Sequence, residues 1–267
     1  MKSAVTLCHV AEAATGPFVF HGPIADGFAK AATHGFDAVE VFLAGPDAYS
    51  ENDLRDLADR HQLAIAAVGT GAGMVKHGLT LTDPSATRRA EALDFVKRMI
   101  DLGGRLGAPA IIGSMQGKST GAVSRDQALD WLAAGLSEAA GTAANHGVPL
   151  LYEPLNRYET NLINRQADAL AFLEQRGIPS TLILADLFHM NIEEPDLAAA
   201  LRAIAPRLGH VHFADSNREA VGHGHTDPAP VLAALRDIRY RGYLSAEILP
   251  LPDADAAARD FLASIKP

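Results

Sequence analysis

The sequence predicts an α/β fold, a single closed (β/α)8 TIM barrel, from three observations. Short apolar runs alternate with helical patterns from one end to the other, the runs number eight, and 267 residues suit one barrel. Strict alternation implies parallel strands joined by helical crossovers, and eight units favour closure over an open sheet. The candidate strands are 4–10 (AVTLCHV), 37–42 (DAVEVF), 63–69 (LAIAAVG), 109–114 (PAIIGS), 148–153 (VPLLYE), 181–186 (TLILAD), 208–215 (LGHVHFAD) and 243–249 (YLSAEIL). Between them, Phe95, Met99, Leu102 and Leu106 step by 4, 3 and 4, and Leu129, Leu132, Leu136 and Ala139 by 3, 4 and 3, so each segment buries one helical stripe. Asp227-Pro228 reads as an N-cap followed by a proline at the first helical position, and Gly35, Gly107 and Gly147 stand where helices should stop. No linker or charge run interrupts the series, so residues 1–267 read as one domain.

Composition narrows the function. A hydrophobic content of 48% with 21% charged residues describes a globular chain, not a disordered one. The net charge of −9 opposes a phosphate backbone, so no nucleic-acid partner is expected. Cys8 is the only cysteine, which precludes an intrachain disulfide and reads as a small buried strand residue. The opening MKSAVTLCHVAEAATG does not look like a signal peptide, and no run is long enough to span a membrane. A cytoplasmic protein with no membrane partner is the expectation.

In such a barrel the reacting groups gather at the C-terminal ends of the strands. Here the fifth candidate strand ends at Glu153, the sixth at Asp186, the seventh carries His210 and His212, and the eighth holds Glu247. Any one acid at a strand end could simply cap the next helix. Four successive strands are harder to assign to capping, and three carboxylates with one imidazole and no thiolate suit Mn²⁺, Mg²⁺ or Co²⁺ better than structural zinc. His210 and His212 share a strand face, so the outer one, His212, reads as the ligand and His210 as a hydrogen-bonded residue of the barrel interior.

The segments YEPLNRYETN (152–161), ADLFHMNIEE (185–194), HVHFADSNR (210–218), GHGHTD (222–227) and SAEILPLP (245–252) resemble the xylose-isomerase-like TIM-barrel superfamily. Within it they are similar to the ketose 3-epimerases and, more closely, to the 5-keto-L-gluconate epimerase type. The intervals of 33, 26 and 35 residues between Glu153, Asp186, His212 and Glu247 match that family's ligand spacing, and GTGAGMVKHGLTLTDP (69–84) and AIIGSMQGK (110–118) extend the likeness into the first half. The resemblance implies that these four residues hold one divalent ion, most often Mn²⁺, that Glu153 and Glu247 are also the catalytic pair, and that Glu159, His189 and Arg218 hold the carbonyl end of the substrate. It further implies a dimer or tetramer acting on a small keto-sugar or keto-sugar acid.

The chemistry is coherent with those residues. Epimerisation beside a ketone needs a C–H bond to ionise and a proton to return on the other face, which two carboxylates serve better than one. A divalent ion stabilises the enediolate as a Lewis acid, while His189 and Arg218 can donate hydrogen bonds to the same oxygens. The stretch 69–82 reads as an active-site loop whose Met74 and His77 cover the substrate. Its VGTGAG is only half a dinucleotide fingerprint, since the last glycine would fall at Met74 and no helix is expected to open there. Gln116 and Lys118, after the fourth strand, are the expected readers of a substrate carboxylate, where the closest sugar-acid epimerases would carry an Arg. His223 and His225 read as loop-packing residues. Three rivals remain at this level: an aldose-ketose isomerase of the same fold, an abasic-site endonuclease, which the acidic charge and the missing fourth-strand His oppose, and a non-catalytic sugar-binding barrel.

Overall fold

A computed structural model describes residues 1–266. Nine strands form one parallel sheet: β1 (Lys2–His9), β2 (Phe20–His21), β3 (Ala38–Leu43), β4 (Ala64–Gly69), β5 (Ala110–Ile112), β6 (Leu150–Tyr152), β7 (Thr181–Asp186), β8 (Leu208–His212) and β9 (Tyr243–Ala246). Sequential neighbours pair from β3 to β9, and β1 closes the ring by pairing with both β3 and β9. Eight strands therefore make the barrel. The ninth, the two-residue β2, was not anticipated. β9 accompanies β1 only as far as Val5, and β2 pairs with Leu7 and Cys8 beyond that point, supplying partners to backbone that would otherwise be bare.

The helical stripes fold as the spacing predicts. Phe95, Met99 and Leu102 are buried in helix Ala86–Arg105, and Leu132, Leu136 and Ala139 in helix Arg125–Asn145. Asp227 caps helix Pro228–Asp237 by accepting from the Ala229 N–H at 3.0 Å, and Gly35 ends the first helix with φ +84°, a conformation that a side chain would strain. One difference lies in 69–84, where a six-residue helix, Ala72–His77, opens after all. Its backbone approaches neighbours at Gly71 and Gly73, where a side chain would collide with Phe42 and Met115. The glycine spacing still lacks the third fingerprint position.

The main apolar core lies between the barrel and its helices. Inside the ring the packing is different. One small cluster joins Ala67, Ile111, Leu151 and Leu184, another joins Ala4, Ala38 and Ala66, and between them stand the buried polar side chains Glu40, His210 and His212. A barrel interior that admits charge near its C-terminal end has room for chemistry there. Among the described residues no helix is long and apolar enough to cross a membrane.

Candidate active site and metal centre

Glu153, Asp186, His212 and Glu247 come together at the C-terminal ends of β6, β7, β8 and β9, each offering one ligand atom within 4.8 Å of the others. Pairing explains the convergence: Asp186 lies opposite His212, and His212 opposite Ser245, two residues before Glu247. Adjacent parallel strands in this register aim their last side chains at one point.

The donor set suits a hard divalent ion. His212 Nε2 lies 3.1 Å from Glu40 Oε1 and donates to it, which leaves Nδ1 as a lone pair facing Glu247 Oε2 at 3.4 Å, Glu153 Oε1 at 3.6 Å and Asp186 Oδ2 at 3.8 Å. That nitrogen and Glu153 Oε1 are both buried without any hydrogen-bond partner. Two orphaned polar atoms facing each other are expensive unless something cationic lies between them. Burial pushes the Glu153 carboxyl above the usual carboxylate range, opposed by His212, so a divalent charge at this point would serve to keep it ionised.

Asp186 unites the two functions that the strand-end acids could have. Its Oδ1 accepts from the Phe188 N–H at 2.8 Å and caps helix Leu187–Glu193, while Oδ2 turns to the ligand cluster. His189, one turn into that helix, is buried with Nδ1 accepting from the Asn156 backbone N–H at 3.3 Å and lying 2.8 Å from its side-chain nitrogen. An accepting Nδ1 requires the proton on Nε2, the nitrogen that faces Glu153 and Asp186 at 3.9 and 3.5 Å. His189 therefore presents a donor to the cleft. Arg218 donates to Glu247 Oε2 at 2.6 Å, lies 3.4 Å from Asp186 Oδ2 and packs over the Phe188 ring.

Arg218 adopts φ +64°, uncommon for a residue with a side chain, and the loop around it is fixed by Asp215. The buried Asp215 carboxylate accepts from the N–H groups of Ser216, Gly222, Gly224 and Thr226 at 2.6–2.9 Å, while its carbonyl accepts from the Arg218 N–H. A cage of four donors holds the carboxyl well below its usual range, although burial works against this. In the same loop His223 pairs with Glu219 and Asp260, a packing role as expected.

Sequence reasoning missed three contributors. Glu40, in the middle of β3, sits 2.8 Å from His210 Nε2 and 3.1 Å from His212 Nε2, so one buried carboxylate orients both imidazoles. The signal was an acid within DAVEVF, where the alternation asks for a residue facing the barrel interior. His210 is, as anticipated, an interior hydrogen-bonded residue. A partner that fixes a ligand's tautomer in this way typically contributes 10–100-fold to metal affinity, so Glu40→Gln is expected to weaken Mn²⁺ binding by about that factor, read by metal titration. Asn156 and Gly113 are the other two. A Cβ on Gly113 would overlap Glu153 Oε2, so Gly113→Ala should displace that carboxylate and lose metal and activity together while far-ultraviolet circular dichroism stays unchanged.

The outer residues divide. Glu153, Glu159, His189, His212, Arg218 and Glu247 line one cavity of about 300 Å³, together with Met74 from the helix after β4. His77 does not reach it: the side chain is exposed and lines a separate cavity beside Phe95 and Arg98. Gln116 is also turned away from substrate. It is fully buried, donating to the carbonyls of Gly113 and Glu153 and accepting from the Tyr152 hydroxyl at 2.8 Å, so it braces the strand that carries Glu153. Lys118 is exposed and lines an adjoining outer cavity, not the ligand cluster.

A closed parallel barrel with buried carboxylates and an imidazole gathered at its C-terminal face has the architecture of an enzyme active site. The chain belongs to the xylose isomerase-like TIM barrel family, whose model matches residues 28–265. It is 34% identical over 223 residues to an L-ribulose 3-epimerase of Methylomonas sp. (strain DH-1), covering 82% of this chain and 76% of that one. An L-ribulose 3-epimerase of Mesorhizobium japonicum is 37% identical over 220 residues, covering 80% and 71%. The crystal structure of a D-allulose 3-epimerase from Methylomonas sp. superposes with a TM-score of 0.80 at 27% identity, covering 99% of this chain and 98% of that one.

Proposed function

We propose that the protein is a divalent-metal-dependent epimerase of an uncharged keto-sugar, acting at C3, the carbon next to the ketone. The observation that carries this reading is the placement of Glu153 and Glu247 immediately after β6 and β9, flanking the cluster with β7 and β8 between them. Two carboxylates approaching from opposite flanks can address opposite faces of one carbon. Mn²⁺ fits the three carboxylates and one imidazole, with Mg²⁺ or Co²⁺ as alternatives; when bound, such an ion supplies Lewis-acid polarisation of the ketone and its neighbouring hydroxyl.

The chain's own residues account for the rest. One Glu removes the C3 proton and the other returns a proton to the opposite face. The His189 Nε2–H is aimed where negative charge develops on the substrate oxygens, and its tautomer is held by Asn156. Arg218 donates to Glu247 and fixes the position of that carboxylate beside the cluster. The apolar wall of Phe18, Phe42, Ile111 and Leu155 limits water around the reacting carbon.

Charge favours a neutral substrate over a sugar acid. Five glutamates (Glu12, Glu40, Glu153, Glu159 and Glu247) line the inner cavity, against one lining arginine, Arg218, which is already paired. Away from the divalent ion a substrate carboxylate would find no free cationic side chain in this cavity, and Lys118 could reach only one extending outward. In D₂O, free keto-pentoses and keto-hexoses are expected to acquire label at C3, and Lys118→Ala should lower kcat/KM for keto-hexuronates while leaving neutral ketoses unchanged. Label confined to C1 or C2 of an aldose-ketose pair would establish the isomerase instead.

A further inference from the structure

Beyond the metal-facing cavity the cleft opens into a second cavity of about 430 Å³, walled by the turns that follow β4, β5 and β6. Met74, Ser114, Leu155 and Glu159 line both, so the two adjoin. The outer one is firmly built. Thr82 Oγ1 donates to the Gln116 carbonyl at 3.1 Å, Thr160 Oγ1 to the Gly117 carbonyl at 2.8 Å, and the Ser119 N–H to Asn161 Oδ1 at 2.9 Å, tying all three turns together. Its floor is bare at Gly117, where φ is +75° and a Cβ would overlap Thr82 Oγ1.

The lining has a definite chemistry. Tyr158 leaves 80% of its surface exposed at the rim, although large apolar or aromatic side chains are normally covered. Met74 and Leu155 continue this surface inward, and Thr80 and Thr120 add hydroxyls. Lys118 stands against two acids, Asp83 and Glu159, so the lining repels an anion and the single lysine is already outnumbered. A flat ring with nearby hydroxyl groups matches a sugar: the C–H face of a pyranose packs on the aromatic ring while its hydroxyls exchange hydrogen bonds at the edges.

We infer that this outer cavity is a second sugar subsite, which takes an uncharged glycosyl unit O-linked to the keto-sugar at the end remote from its ketone. The inference rests on the epimerase reading, because it is the ketone's place at the ligand cluster that directs the other end of the substrate past Ser114 and Glu159 into the outer cavity. An added ring bound equally in the ground and transition states lowers KM and leaves kcat alone.

The test uses the Mn²⁺-loaded protein with D-fructose and 6-O-glucosyl-D-fructose, following C3 deuterium exchange and, separately, binding by calorimetry. The disaccharide is expected to show a KM roughly five- to tenfold below that of fructose at similar kcat. Tyr158→Ala and the cavity-filling Thr80→Phe should each remove that advantage without altering the fructose KM. Equal kcat/KM for the two sugars, or an equal loss for both in Tyr158→Ala, would overturn the subsite. Exclusion of the disaccharide, with Tyr158→Ala dissociating an oligomer in sedimentation, would assign the rim to a second copy of the chain and also overturn it. Failure of fructose, of every other free keto-hexose and keto-pentose and of the disaccharide to exchange at C3 would defeat the epimerase reading itself, whereas fructose exchange with no gain from the glucosyl unit defeats the subsite alone.

Discussion

Glu153→Gln and Glu247→Gln are each expected to lower net epimerisation by roughly 10²–10⁴-fold, the range that a positioned acid-base group usually contributes. The amide keeps the shape of the side chain and removes its capacity to take up a proton. Since both residues also belong to the proposed ligand set, metal content has to be measured on the same samples. The informative variant is the one that retains its metal. If each carboxylate addresses one face, a metal-replete Glu247→Gln should still exchange the C3 proton of one epimer with solvent through Glu153, without converting it to the other. Glu153→Gln should show the mirror pattern. Normal epimerisation by a metal-replete Glu247→Gln would refute the two-base assignment.

Removal of the divalent ion should abolish activity entirely, and Mn²⁺ or Co²⁺ should restore it. The physical basis is the crowding of Glu153, Asp186 and Glu247 around an unpartnered, buried imidazole nitrogen. A second readout is independent of turnover. An ion that binds only the folded chain, at a hundredfold excess over its Kd, adds about 2.7 kcal/mol of stability. For a chain of this size that corresponds to a rise in Tm of roughly 5–10 °C. Full activity in protein shown to be metal-free by elemental analysis would remove the centre of this reading, and an unchanged Tm with excess Mn²⁺ would argue against a buried ligand cluster.

Much of the site was legible because strand-end positions are a local property. Once eight apolar runs are read as parallel strands, the barrel directs their C-terminal ends to one rim, and Glu153, Asp186, His212 and Glu247 follow from their places in those runs. Helix stripes and caps are legible for the same reason, since spacing of three or four residues and a side chain bonding two residues ahead involve only neighbours in the chain. Even the choice of His212 over His210 followed from the two-residue period of a strand, which sets the inner imidazole one step deeper in the barrel.

Where a side chain points from a turn was not legible. Gln116 and His77 looked available by position, yet Gln116 is consumed by Tyr152 and by the carbonyls of Gly113 and Glu153, and His77 lines a separate cavity, on a helix whose orientation is set by packing against Phe95 and Met115. Glu40 supports the histidines from 170 residues away, and Asp215 fixes the unusual backbone at Arg218 through a cage of loop amides. By itself the sequence determined the order of elements and the rim on which the acids gather, because those depend on periodicity and residue type. Only the tertiary structure decided which polar groups face the cleft and which are spent bracing it, because a buried donor or acceptor takes whatever partner the fold brings within about 3 Å, regardless of separation along the chain.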